Sequence, residues 1–204
     1  MTENKKKITA LACSPSKGFN SDSMLDAFLS GVSEIGGVEV EKIYLIDQEL
    51  PYYTFFNRVP DPVKEPEFVK LVEKVTECDL LVIATPTFNF GVPATLKNLL
   101  DRLSFKALNP KKMNWLHQPS GMLTSLNTFY LVSCGTPRWL QFLLWPLFPG
   151  FWLRLVFWYF GAKTWGGIYG AGLNANKLAK NNAALMAKCK NAGRKVVQRL
   201  LARS

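Results

Sequence analysis

Short apolar runs that close on Gly, Pro, Ser or Thr and then give way to helical spacing recur along this chain. That alternation limits its fold more than any other feature. The clearest run is Leu80-Leu81-Val82-Ile83-Ala84, whose length and unbroken apolar character suit a strand buried on both faces. Ile8 to Cys13 is a second, closed by Ser14-Pro15-Ser16-Lys17-Gly18. Val38 to Leu45 roughly alternates and reads as a partly exposed strand, and Thr128 to Cys134 and Lys163 to Tyr169 supply a fourth and a fifth. Between them, Met24, Leu25, Phe28, Leu29 and Val32 recur at helical spacing behind the cap-type residues Asn20, Ser21 and Asp22. Phe68, Leu71, Val72 and Val75 predict a helix over 67–77, and Ala94 to Leu103 another. Residues 175–203 read as one long amphipathic helix with Leu178, Leu185, Cys189, Ala192, Val196 and Leu200 on one stripe. The stretches 47–65 and 106–127 read as loop and polar connection. Strands alternating with helices mean a parallel sheet covered on both faces. No repeat or low-complexity linker divides the 204 residues, so residues 1–204 read as one domain.

Composition removes several kinds of chemistry. His117 is the only histidine, which excludes a Ser-His-Asp or Cys-His nucleophile system and a multi-histidine metal site. Cys13, Cys78, Cys134 and Cys189 stand far apart with no CxxC pair, arguing for reduced thiols in a cytosol and against zinc or an iron–sulfur cluster; no metal is expected. The apolar run after Met1 to Lys7 is too short for the core of a signal peptide. Charge is split sharply. Residues 1–101 hold 10 Lys+Arg and 15 Asp+Glu, whereas residues 102–204 hold 15 Lys+Arg and no acid. Such a half suits nucleotide phosphates, anionic lipid or nucleic acid, or is simply a solvated basic helix. No base-reading motif accompanies it, so nucleic acid is not expected as a partner.

In an open doubly wound sheet, ligands bind beyond the carboxyl ends of the strands, where strand order reverses. Three loops leave such ends: 14–21, 85–93 and 133–137. The first sits at a helix start, where free N–H groups and the helix dipole favour a phosphate; an ordinary capped turn fits the same residues. It has neither GxxxxGK[ST] nor GxGxxG, so a nucleotide triphosphatase is not expected.

The first loop, with Pro86, Asn89, Pro93, Leu96, Lys97, Asn98 and Asp101 in the run Thr85 to Arg102, resembles the NAD(P)H-dependent FMN reductases. The resemblance implies the flavodoxin-like fold, a five-stranded parallel sheet of order 2-1-3-4-5 with helices on both faces. It implies FMN and NAD(P)H as cofactors, with hydride passing through the flavin to a small acceptor such as a quinone or free flavin. By the same resemblance Ser14, Ser16, Lys17, Asn20 and Ser21 would hold the FMN phosphate. Pro86, Thr87, Phe88, Asn89, Phe90 and Gly91 would lie along the ring, and Ser133, Cys134, Gly135 and Thr136 would close its other side. A side chain at Gly91 is expected to push into the ring's place. Ser16 stands where the family usually has Arg, so Lys17 or backbone must serve the phosphate; Thr87-Phe88 stand where it has Glu-Tyr, a departure that bears on the ring environment or the nicotinamide contacts. Lys97 and Asp101 read as an i,i+4 pair, and Cys13 and Cys134 as packing residues.

Residues 138–160 hold four of the six tryptophans. Pro146, Pro149, Gly150 and Arg154 interrupt the run, so it reads as two short helices about a Pro-Gly turn, with 138–152 an apolar insertion. Three uses fit: dimer interface and core, a lid over a lipophilic acceptor, or a peripheral membrane contact at an inner membrane face. A homo-oligomeric, cytoplasmic reductase is the leading expectation. A one-electron carrier of the flavodoxin type and a flavin-free nucleotide sensor or membrane-peripheral adaptor are the alternatives.

Overall fold

The computed structural model describes residues 5–144 and 147–203. Trp145 and Pro146, inside the expected apolar insertion, therefore lie outside the described residues. The parallel sheet is built from β1 (Lys6–Ala12), β2 (Val38–Tyr44), β3 (Leu80–Pro86), β6 (Asn127–Ser133) and β7 (Lys163–Gly170). Its order is β2-β1-β3-β6-β7 and every pairing is parallel. This is the expected 2-1-3-4-5 arrangement of a flavodoxin-like fold, with β6 and β7 as its fourth and fifth strands. β1, β3 and β6 are buried along nearly their whole length, as unbroken apolar runs require, while edge strand β2 is half exposed.

Helices cover both faces. α1 (Asn20–Ile35) and α6 (Ala183–Leu201) pack on one side over Ile8, Val82, Phe129 and Leu131. α2 (Pro66–Thr76), α3 (Ala94–Ala107) and α5 (Pro149–Tyr159) cover the other over Leu11, Leu81, Ile83 and Tyr130. α1 and α6 approach closely because Gly31 and Gly193 face the partner backbone. A Cβ on Gly31 would fall 1.9 Å from the Lys190 carbonyl oxygen, and one on Gly193 2.1 Å from that of Phe28.

Three expectations are corrected. The polar connection 106–127 contains an antiparallel hairpin, β4 (Leu108–Met113) with β5 (Pro119–Gly121). Its turn is tied by Asn114, whose Oδ1 accepts from Leu116 and Gln118 N–H, and His117 sits there at a left-handed φ of 55°. The lone imidazole thus belongs to a surface turn. Pro149-Gly150 begins α5 instead of turning the chain, because a proline costs nothing at the first helical position. The last helix starts at Ala183, not at 175. Asn182 caps it by accepting from Leu185 N–H, and Asn174 folds the preceding segment by accepting from Asn176 and Lys177 N–H. That shortening frees residues 175–182 for another role.

The loop after β2 is latched by α3. Asn98 accepts from Tyr53 N–H at 2.8 Å, and the fully buried Arg102 forks onto Glu65 at 3.1 and 2.7 Å. Arg102 also donates to the carbonyls of Pro51 and Asn57 and lies 3.9 Å from the Phe68 ring centre. Lys97 and Asp101 form the expected i,i+4 pair on the exposed side.

Candidate active site

The order of addition to the sheet reverses between β1 and β3, and a cavity of about 300 Å³ opens beyond their carboxyl ends. Ser14, Ser16, Asn20, Ser21, Pro86, Thr87, Phe88, Ser133, Cys134 and Gly135, all expected at the site, line it together. Phe19 and Leu173, Asn174 and Ala175 line it as well, and sequence reasoning missed them. Ala175 is invisible as a site residue while 175–203 is read as one helix, and Leu173 and Asn174 lie just before it. The Asn-rich composition of 174–182 was the available signal for a turn.

α1 enters this cavity with its first turn open. Ser23 N–H makes the first helical bond, to the Phe19 carbonyl, and Phe19 at the cap position provides no side-chain bond. The N–H groups of Asn20, Ser21 and Asp22 therefore have no acceptor within the helix. The loop before it is held in shape by Asp22, only 2% exposed, whose Oδ2 accepts from Gly18 N–H at 2.6 Å. Its Oδ1 pairs with Lys42 Nζ at 2.6 Å. Burial works to lower the Lys42 pKa, but its bonds to Asp22, Asp26 and Tyr44 outweigh that and hold the ammonium above the ordinary lysine range. Ser14 Oγ accepts from Ser16 N–H at 3.1 Å. The Asn20 side chain accepts from Ala179 N–H at 2.7 Å, which fastens the 173–181 segment against the loop.

The opposite wall is built by β3 and β6. Thr87 N–H donates to the Ser133 carbonyl at 2.8 Å, and the buried Thr87 Oγ1 has no hydrogen-bond partner among the described residues. Cys134 N–H donates to the Gly170 carbonyl, and its own carbonyl accepts from Leu173. Burial raises the thiol pKa of Cys134, and that of Cys13 above the ordinary range, so both favour the neutral thiol.

Five expected residues stand elsewhere. Lys17 turns away to pair with Asp47 at 2.6 Å and rests on the Tyr44 ring. Thr136 offers its carbonyl to Gly172 N–H instead of lining the cavity. Asn89 and Phe90 form a two-residue hairpin turn at the mouth, closed by reciprocal bonds between Phe88 and Gly91 at 3.0 and 2.8 Å. Asn89 and Phe90 both have left-handed φ, 48° and 64°, the geometry of a type I′ turn, and Phe90 is strained there. A Cβ on Gly91 would meet the Phe88 carbonyl oxygen at 3.5 Å, an ordinary contact. Beyond the turn, Phe90 packs edge-on against Phe148 at 5.7 Å. There Phe90, Gly91, Val92, Leu147, Pro149 and Trp152 line an apolar pocket of about 320 Å³, with Lys97 at its rim. Strand β3 thus ends in a wall shared by two cavities.

The donor set fits FMN: hydroxyls and open N–H groups at a helix start for a phosphate, and an unpartnered buried hydroxyl beside flat apolar walls for a ring. The chain is 38% identical over 86 residues to an FMN-dependent NADH:quinone oxidoreductase of Thiobacillus denitrificans, a match spanning 37% of this chain and 41% of that relative. An FMN-dependent NADH-azoreductase of Bacillus anthracis, solved in complex with FMN, superposes with a TM-score of 0.74 at 15% identity, over 94% of this chain and 99% of that one. A flavodoxin from the domain Archaea superposes with a TM-score of 0.55 at 12% identity, over 96% of this chain and 98% of that one. Residues 6–129, from the first strand through the loop at 86–91 and into β6, match the family described as NADPH-dependent FMN reductase, and the chain belongs to that family.

Proposed function

We propose that this chain is an FMN-dependent oxidoreductase that takes hydride from NAD(P)H and delivers it to a small acceptor. The observation that carries the reading is the cavity at the strand-order switch point, with the open first turn of α1 on one side and the orphaned Thr87 hydroxyl on the other. Bound FMN would supply a carrier able to accept hydride from reduced nicotinamide and to return it to a second substrate. The chain's task is orientation. Ser14, Ser16, Asn20 and Ser21 surround the phosphate position, where the helix dipole favours an anion. Thr87 Oγ1 would be free to donate to a ring heteroatom, and Phe88 and Gly135, which line the cavity, would contact the ring. No side chain need exchange a proton by imidazole, and the buried neutral thiol of Cys134 is a packing group.

The apolar pocket beyond the 88–91 turn suits a planar apolar acceptor such as a quinone, since Lys97 is the one charged residue among those lining it. It supports the lid use of the aromatic segment for residues 147–152. The first helix of that segment, α4 (Arg138–Leu143), leaves Trp139 and Leu143 70% and 69% exposed. A second copy of the chain would cover such a face. No helix among the described residues is long and apolar enough to cross a membrane.

The test is whether the purified protein is yellow with FMN and is bleached anaerobically by NADPH. Ser14→Ala/Ser21→Ala should weaken FMN binding by about 10–100-fold, the scale of one or two bonds to a charged group. Unchanged affinity in that variant would remove the loop from the site. Sedimentation of the protein with and without liposomes tests the cover over α4: a dimer indifferent to liposomes supports the second copy, and a liposome-bound monomer refutes it.

A further inference from the structure

A second cavity, of about 470 Å³, opens at the edge of the sheet beside β7, between α4 and the start of α6. Arg138 and Gln141 reach it from α4 and Lys188 from α6, with Phe142 and Leu185 as apolar walls. No acidic side chain follows Asp101 in the sequence, and neither Arg138 nor Lys188 takes part in an ion pair among the described residues. Gln141 is only 5% exposed, yet its Nε2 has no hydrogen-bond partner among the described residues. Two unpaired cations and an unmet buried donor on one wall are the complement of an anionic, oxygen-rich ligand.

We propose that this cavity takes the 2′-phosphoadenosine end of NADPH. Arg138 and Lys188 would hold the phosphate, Gln141 would donate from Nε2, and the exposed Phe142 ring would lie against the base. The inference rests on the hydride-donor reading above and adds which donor is preferred and where its far end binds. The two cavities are lined by neighbouring residues of the chain after β7. Ala171 lines this one and Leu173 the flavin-side one, two residues on, so their Cα atoms are within about 7–8 Å of each other. One extended dinucleotide bridges such a distance. The 2′-hydroxyl of NADH would leave both cations without a counter-charge, which makes the site discriminating.

The experiment uses the FMN-loaded protein, with steady-state kinetics on both nucleotides and calorimetric titration of 2′,5′-ADP, which carries the phosphate but no nicotinamide. Arg138 and Lys188 are exposed, so Arg138→Gln/Lys188→Gln should keep its thermal midpoint and its FMN affinity. It should raise the KM for NADPH at least about tenfold, move that for NADH by less than twofold, and weaken 2′,5′-ADP by a factor like that for NADPH. An unchanged KM for NADPH, or equal rises for both nucleotides, would overturn the assignment. Should the protein take up no FMN, the oxidoreductase reading fails while the titration still decides the cavity: 2′,5′-ADP binding lost in the variant upholds it, and no binding sinks it.

Discussion

Replacing Arg102 by Met keeps most of the side chain's volume and removes its charge, and it isolates the latch between α3 and the loop after β2. The guanidinium is fully buried, while Glu65 is 14% exposed at its side chain. The substitution removes two bonds to Glu65 and one each to the carbonyls of Pro51 and Asn57, and the stacking on Phe68. Adding those bonds at their gross strength would overshoot, because the wild type already bears the cost of desolvating two charges. What the variant pays is the uncompensated Glu65 carboxylate, and removing one partner of a buried pair costs about 3–5 kcal/mol. In a chain of this size that is a fall in Tm of about 6–20 °C. Urea unfolding followed by circular dichroism measures it. Arg102→Met/Glu65→Gln, which leaves no lone charge, should recover at least about 1 kcal/mol of the loss. A single variant within about 1 kcal/mol of wild type, or a double variant worse than the single, would refute the latch.

Lys17→Ala should change FMN affinity less than twofold, because Lys17 is paired with Asp47 and does not line the cavity; a tenfold loss in fluorescence titration would show that it swings in. Gly91→Ala should turn over within threefold of wild type, since its Cβ meets only the Phe88 carbonyl at 3.5 Å; a steady-state assay with a quinone would expose any larger effect. Stability should fall as pH rises above about 8.5. Burial raises the folded pKa of Cys13 above the ordinary range, that of Cys78 to about 11 and that of Cys189 to about 12, so the unfolded chain ionises first. The stabilisation is fully present below the unfolded pKa, and each thiol forfeits about 2 kcal/mol by pH 10. Equal urea midpoints at pH 8 and pH 10, in reductant, would contradict this.

How much of this was legible depends on whether a residue's partner is local. The strand runs 8–13 and 80–84 could be read because burial on both faces demands an apolar side chain at nearly every position. The phosphate-type loop could be read because a strand, a turn and a cap-type residue are contiguous. Arg102 could not. Counted with the basic half it looks like a surface charge, and only the return of residues 51–65 across α3 buries it. Lys17 failed in the same way, since Asp47 comes from the far side of β2, 30 residues on. The hairpin over 108–121 hid because β4 is polar, lysine-bearing and largely exposed and β5 is only Pro119-Ser120-Gly121, so neither has the apolar alternation that marks a strand. The C-terminal helix was drawn too long because Leu178 continues the apolar stripe across a turn set by Asn174 and Asn182. Hydrophobic period alone does not register a cap.

The placement of acids explains why two anion-seeking cavities in one chain are built so differently. Around the α1 loop, Asp22 and Asp47 draw the nearby ammonium groups of Lys42 and Lys17 to themselves. What remains for a phosphate there is directional and uncharged: N–H groups, hydroxyls and the helix dipole. Such bonds are short-ranged, and salt screens them little. Beyond β7 the situation is reversed. No acidic side chain follows Asp101, and neither Arg138 nor Lys188 is ion-paired among the described residues. An exposed, uncompensated cation pair attracts an anion from about a Debye length away and releases it readily when screened. A group held through many turnovers needs fixed geometry, and a substrate that enters and leaves each cycle gains from long-range attraction. On the reading proposed here the neutral cradle belongs to the retained cofactor and the cationic pocket to the exchanging nucleotide. Charge segregation along the sequence thereby becomes a division of labour between two neighbouring cavities.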